Sequence, residues 1–74
     1  MEEIAKKDWE YTLFRTEDGA FILSVLCGRS AVYEVRIKLT ETEANAFSNQ
    51  GMEYLDSLAG EIRSAPSSFQ ERAI

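Results

Sequence analysis

The stretch FILSVLCG, Phe21–Gly28, decides the fold because both of its faces are apolar. Successive side chains of a β-strand point to opposite faces of the sheet. One face therefore carries four side chains: Phe21, Leu23, Val25 and Cys27. The other face carries Ile22 and Leu26 around Ser24. A chain of 74 residues has little further material with which to cover two faces of a sheet.

The preceding segment, WEYTLFR at residues 9–15, alternates apolar and polar side chains and predicts a strand. Asp18-Gly19 then marks a hairpin, whose loop length sets the register. A two-residue loop would scatter the large side chains over both faces. A three-residue loop gathers them on one face and gives Gly19 the left-handed position of a type I turn followed by a bulge. The expected pairs are Arg15–Phe21, Leu13–Leu23, Tyr11–Val25 and Trp9–Cys27.

A third strand is predicted for AVYEVRIKL, Ala31–Leu39, which alternates more regularly than any other segment. GRS, residues 28–30, connects it to the second strand through a loop of three or five residues. Its core-facing side chains are Tyr33, Val35, Ile37 and Leu39. Residues 1–8 are polar apart from Ile4, and we expect them to form a frayed, flexible end.

The periodicity changes after Leu39. Thr40 and Glu43 have the spacing of a capping box, which marks a helix N-terminus. Apolar or small residues then recur at helical spacing: Ala44, Phe47, Gly51, Leu55, Leu58 and Ile62. We expect one helix from about Glu41 to Arg63, the alternative being two helices separated at Gly51. Pro66 ends the helix, and residues 66–74 are expected to form a second flexible end.

These elements predict a single α+β domain over residues 1–74, with a three-stranded antiparallel meander followed by one long C-terminal helix on one face (βββα). The other sheet face would carry Phe14 beside Ile22 and Leu26 beside Val32. Three explanations are open for these apolar groups. An antiparallel sheet can tolerate them, or the tail can cover them with Phe69 and Ile74. Self-association, through this face or through edge strands, would also cover them, as would a different protein.

The sequence offers no catalytic constellation. It contains no histidine, which removes the commonest general base and metal ligand. The single cysteine, Cys27, is expected to be a small buried residue, and the glycines form no phosphate-binding motif. We therefore expect no enzyme and no catalytic, cofactor-binding or metal-binding residues. The candidate residues belong instead to a protein interface: Phe14, Ile22, Leu26, Val32 and Arg36.

Charge and composition narrow the function further. The net charge of −5 weighs against nucleic-acid binding, although Arg36 and Lys38 on the sheet leave a sheet-borne DNA-binding module as a remote alternative. An acidic binder of a basic protein, similar to an immunity protein or antitoxin, is a second alternative. No apolar run approaches the roughly 20 residues that span a bilayer, and a lone cysteine is consistent with a reducing compartment, so we expect a cytoplasmic protein.

The three-strand-plus-helix outline resembles that of the small MbtH-type adaptor proteins. The resemblance is one of architecture, because the proline- and tryptophan-rich signature of that family is missing and Trp9 and Pro66 are single examples of each residue. It transfers no functional residues. The expected function is a small non-enzymatic interaction domain, homodimeric through the sheet face opposite the helix.

Overall fold

The computed structural model describes residues 1–28 and 32–74 as an α+β fold, in which a four-stranded antiparallel sheet of order β1-β2-β3-β4 is followed by helices. The strands are β1 (Glu2–Lys7), β2 (Tyr11–Arg15), β3 (Phe21–Cys27) and β4 (Tyr33–Lys38). The helices are α1 (Glu41–Gln50), α2 (Met52–Ser64) and α3 (Pro66–Phe69), followed by a 3₁₀ turn (Gln70–Arg72). The α+β class is confirmed, whereas the numbers of strands and helices differ from the prediction.

The β2–β3 hairpin has the predicted register. Tyr11 pairs with Val25, Leu13 with Leu23, and Arg15 with Phe21. The turn closes through the amide of Gly19, which donates to the carbonyl of Thr16 at 3.0 Å, and Gly19 has a φ of 87°. The left-handed conformation at this position is the one that glycine adopts without strain.

Residues 2–7, expected to be a flexible end, form β1 instead and pair with β2. Their sequence, EEIAKK, has a single large apolar side chain and no alternation, so it carries little strand signal. The free edge of β2 supplies the backbone partners that select this conformation. Ala5 lies opposite Leu13 and packs against the core, and a bulge interrupts the register between Glu3 and Ala5.

Trp9 does not form the predicted pair with Cys27. It lies in the turn between β1 and β2, where the amide of Glu10 donates to the carbonyl of Lys7 at 3.0 Å. Its φ is 64° and its side chain is 85% exposed, so the prediction that it belongs to the core is wrong. The formation of β1 is the cause, because a hairpin that joins β1 to β2 needs a turn at this position.

β4 is shorter than the predicted third strand. Cys27 pairs with Tyr33, which selects the five-residue connection from the two lengths considered. Tyr33 was expected in the core but is exposed, because it lies at the end of the sheet, beside a cleft. The predicted beginning of the strand at Ala31 and the connection through Arg29 and Ser30 lie outside the described residues.

The predicted single helix is two helices that meet at Gly51. Gly51 has a φ of 70° and a ψ of −147°, a conformation outside the helical region, and its amide donates to the carbonyl of Phe47 at 2.7 Å. The capping box at the beginning of α1 is confirmed, with both hydrogen bonds between Thr40 and Glu43 present. α2 covers the sheet, and its buried residues are Leu55, Leu58, Ala59 and Ile62.

The core lies between α2 and one face of the sheet. It comprises Tyr11, Leu13, Leu23, Val25, Cys27, Val35, Ile37, Leu39 and the buried side chains of α2. Phe21 and Phe47 close one side of this core, with an edge-to-face contact of 6.0 Å between ring centroids. Apart from Trp9 and Tyr33, the side chains that the sequence assigned to the core-facing side of the sheet are buried or pack against the core.

The C-terminal segment lies beside β4. Ala73 forms an antiparallel bridge with Ile37, and the amide of Ile74 donates to the carbonyl of Arg36 at 3.0 Å. Phe69 packs against the core, whereas the side chain of Ile74 is 67% exposed. The segment therefore extends the sheet at its β4 edge, and neither apolar side chain covers the face opposite α2.

Candidate interaction surface

The sheet surface opposite α2, which we call the open face, has an uncharged centre and a charged rim. The register and the alternation of side chains define its members. On the central strands β2 and β3 they are Thr12, Phe14, Ile22, Ser24 and Leu26. On the outer strands β1 and β4 they are Glu3, Lys6, Glu34, Arg36 and Lys38. Protein–protein interfaces have this anatomy, with charged residues depleted at the centre and retained at the rim.

Phe14 lies opposite Ile22 in the β2–β3 register, as predicted, and both side chains are half-buried. Leu26 is also half-buried, but it lies opposite Glu34 rather than beside Val32. Val32 lies outside β4 and is 66% exposed. Four of the predicted interface residues therefore lie on the open face, with Phe14 and Ile22 at one end, Leu26 at the other and Arg36 between them. Val32 lies beyond the end of β4.

The middle of the open face is polar. Ser24 is only 5% exposed, and it lies on β3 beside the β4 residues Glu34 and Arg36. The Arg36 Nε donates to the Glu34 carboxylate at 2.7 Å. The Ser24 hydroxyl first, and then Arg36, stabilise the ionised carboxylate more than burial destabilises it, so the pKa of Glu34 is lowered. Arg36 is thus already paired within the chain, in a fixed position on the rim.

Trp9 stands at the Leu26 end of the open face. It lines a small depression on this face together with Thr12, Ser24 and Leu26. It also lines a larger open cleft of about 560 Å³ around the end of the sheet, with Leu26, Val32 and Tyr33. Sequence reasoning missed Trp9 as a surface residue because the alternation of WEYTLFR continues through it, and only the turn that β1 imposes removes it from the strand.

Arg63 on α2 also lines the larger cleft. Its Nε donates to the carbonyl of Leu26 at 3.1 Å, and its Nη1 donates to the carboxylate of Glu10 at 3.3 Å. The guanidinium therefore joins α2 to β3 and to the β1–β2 turn. Trp, Tyr and Arg are the residue types that most often dominate binding energy at protein interfaces, and all three meet at this cleft.

The edges of the sheet are less suited to association than the open face. The outer edge of β1 carries charged residues and the bulge, two features that oppose pairing with another strand. Along the outer edge of β4, the C-terminal segment already occupies part of the backbone through the Ile37–Ala73 bridge and the Ile74 amide. An additional strand would have to displace that segment.

Two titratable side chains on the α2 side of the sheet rather than on the open face, Tyr11 and Asp56, are engaged in structural contacts. On the core-facing side, the Tyr11 hydroxyl donates to Asp56 at 2.7 Å, and Lys7 lies 3.3 Å from the same carboxylate. The hydrogen bond from Tyr11 is the main cause that lowers the pKa of Asp56, so this carboxylate stays ionised and joins the sheet to α2. Burial raises the pKa of the Cys27 thiol and disfavours its reactive thiolate.

No helix within residues 1–28 and 32–74 combines the length and the apolar character needed to cross a bilayer. The comparisons with known proteins found no matching family model, no matching curated protein and no matching solved structure. The resemblance to the MbtH-type adaptors thus receives no support from them.

Proposed function

We propose that this chain is a small non-enzymatic protein-interaction domain that forms a homodimer through its open face. The observation that carries the proposal is the segregation of charge on this face, with uncharged side chains on β2 and β3 and charged ones on β1 and β4. A face exposed only to water would not need three large apolar side chains at its centre. Packing two such faces would shield Phe14, Ile22 and Leu26 in both copies.

The size of the face sets the expected strength of the dimer. Four strands about 4.8 Å apart, with about 17 Å of each strand in register, present a face of about 300 Å². Stable specific interfaces bury about 800 Å² on each partner. We therefore expect a reversible equilibrium between monomer and dimer, in which residues beyond the face contribute, rather than an obligate dimer.

Two other functions would depend on charge rather than on the apolar centre of the open face. An acidic binder of a basic protein would draw on the net charge of −5 of the whole chain, but the rim of the open face carries three basic and two acidic side chains. A sheet-borne DNA-binding module would use Arg36 and Lys38, and Arg36 is paired with Glu34 at 2.7 Å. Both alternatives predict binding that weakens steeply with salt, whereas apolar association does not.

Sedimentation equilibrium tests the homodimer. The native protein should associate as its concentration rises, and Ile22→Lys/Leu26→Lys should remain monomeric because each Lys would bury a charge in the interface. Thr42→Lys/Ser57→Lys is the matched control, since it adds the same charge at exposed helical positions and should associate as the native protein does. Circular dichroism would verify that each variant is folded. A monomeric native protein, or equal association of the two double variants, would contradict the proposal.

A further inference from the structure

The outer edge of β4 has the regular geometry that another strand can pair with. The register between β3 and β4 is continuous over six residue pairs, and Val35 and Ile37 are of the β-branched type that favours strands. Arg36 lies opposite Ser24, and its carbonyl accepts a hydrogen bond from the C-terminal segment rather than from β3. The N–H and C=O of one residue in an antiparallel strand point to the same side, so the backbone of Arg36 is directed outward. An uncovered edge of this kind is a template for another strand.

The C-terminal segment, residues 66–74, covers part of this edge. The amide of Ile74 donates to the carbonyl of Arg36 at 3.0 Å. The Arg72 guanidinium donates to the carbonyl of Lys38, also at 3.0 Å. Both carbonyls are groups that an added strand would use, so the C-terminal segment and an added strand compete for the same backbone.

Arg72 is the side chain that holds the C-terminal segment in place. Besides the Lys38 carbonyl, its guanidinium binds both oxygens of the Glu43 carboxylate in α1, with Nη1 donating to Oε2 at 3.1 Å. Paired hydrogen bonds of this kind between Arg and a carboxylate are among the strongest in proteins. The guanidinium also lies 5.9 Å from the centroid of the Phe69 ring, which packs against the core. One side chain therefore joins the segment to β4 and to α1.

The C-terminal segment contributes far less to the core than α2 does. Residues 66–74 are each exposed or half-buried, whereas α2 buries Leu55, Leu58, Ala59 and Ile62. Elements with few buried apolar contacts open at a lower free energy than the core of a protein. The segment can therefore leave β4 while α2 stays packed on the sheet.

We infer that the C-terminal segment is a detachable cover of the β4 edge, held closed by the contact between Arg72 and Glu43. When it is closed, it prevents β4 from pairing with β4 of a second copy. When it opens, residues 66–74 leave as a unit and the outward backbone of β4 becomes available. The inference concerns an edge of the sheet and does not depend on the homodimer proposed for the open face.

Hydrogen exchange measured by NMR tests the detachment. Ser68 and Ile74 lie near opposite ends of the segment, and their amides donate to the carbonyls of Ala65 and Arg36. Both amides should exchange with one opening free energy that hardly depends on dilute urea, because a local opening exposes little surface. Arg72→Gln should accelerate both by about tenfold, since charge-assisted hydrogen bonds are lost. Fraying of the chain end would accelerate Ile74 alone.

Sedimentation velocity tests the protection of the edge. Ile22→Lys/Leu26→Lys serves as the parent, because it cannot associate through the open face. Adding Arg72→Gln should strengthen association about a hundredfold, since two copies must open and each opens about ten times more often. Arg36→Pro should then abolish this association, because proline removes the outward amide that pairing needs and leaves the carbonyl that Ile74 uses. Circular dichroism would verify that each variant is folded.

Each part of the inference has a result that would overturn it. If the amides of Ser68 and Ile74 exchange only together with those of the core, and with the same urea dependence, the C-terminal segment is not detachable. If Arg72→Gln accelerates exchange but leaves the parent monomeric, the segment does not protect the edge. Neither result alters the test of the homodimer, which compares the native protein with Ile22→Lys/Leu26→Lys.

Discussion

Gly51 and Gly60 both lie in the helical half of the chain, yet their backbones differ. Gly51 has a φ of 70°, whereas Gly60 lies inside α2. Within the described part of the chain, no heavy atom other than those of the local backbone lies within 4 Å of the place that a Cβ would occupy at either glycine. Space therefore does not distinguish the two positions. Backbone conformation does, and it explains why the helix ends at Gly51 and continues through Gly60.

We expect opposite effects from the same substitution at these two positions. Gly51→Ala should lower the free energy of unfolding by about 1–3 kcal/mol, because alanine would be strained in a backbone conformation that only glycine adopts freely. Gly60→Ala should raise it by up to about 1 kcal/mol, since Ala is the better helix former. Urea denaturation of both variants measures the difference. Equal stability of the two variants would show that the break at Gly51 imposes no strain.

The N-terminus of α1 is joined to the C-terminal segment through Glu43. The Glu43 side chain accepts a hydrogen bond from the Thr40 amide at 2.8 Å, and the Arg72 guanidinium donates to the same carboxylate. Burial alone would raise the pKa of Glu43, but the hydrogen bonds from Arg72 and Thr40 outweigh it and lower the pKa below 4.5. Glu43 therefore caps the N-terminus of α1 and also binds Arg72 of the 3₁₀ turn.

This ion pair predicts a dependence of stability on pH. Because the pKa of Glu43 is lower in the folded state, its contribution is present above pH 4.5 and is lost as pH falls through the folded pKa. Glu43→Gln should be less stable than the native protein at neutral pH, and its stability should fall less steeply on acidification. Arg72→Gln should likewise make the stability of the protein fall less steeply as the pH is lowered. Thermal unfolding from pH 7 to pH 2 gives these slopes, and a Glu43→Gln profile parallel to the native one would contradict the prediction.

At the scale of the whole molecule, the helices and the C-terminal segment pack against only part of the sheet. α2 buries one face, the C-terminal segment lies along one edge, and the open face is left with half-buried apolar side chains. A chain of this size has a thin margin of stability, so association would add measurably to it. Folding and dimerisation should therefore be coupled.

This coupling predicts a concentration-dependent melting temperature. Above the dissociation constant, each tenfold increase in protein concentration should raise the Tm of the native protein by about 3–6 °C, because dimerisation stabilises only the folded chain. The Tm of Ile22→Lys/Leu26→Lys should not change with concentration. Differential scanning calorimetry over a range of concentrations provides the measurement, and a native Tm that is independent of concentration would argue against the dimer.

Local signals predicted the parts of the fold that short segments specify. The register of the β2–β3 hairpin followed from Gly19 and the alternation on both strands, and the beginning of α1 followed from Thr40 and Glu43. Four of the candidate interface residues, Phe14, Ile22, Leu26 and Arg36, could be placed on the open face for the same reason. These features depend on neighbours in sequence, so their physical cause is visible in the sequence.

The sequence by itself determined the α+β class, the central hairpin and the core-facing side of β2 and β3, because the periodicity of apolar side chains fixes which face is buried. Tertiary structure decided the rest. β1 forms because β2 offers it a free edge, Trp9 leaves the core because that new strand needs a turn, and the C-terminal segment pairs with β4 rather than covering the open face. Backbone pairing at an edge depends little on side chains, and a pattern of side chains therefore does not reveal it.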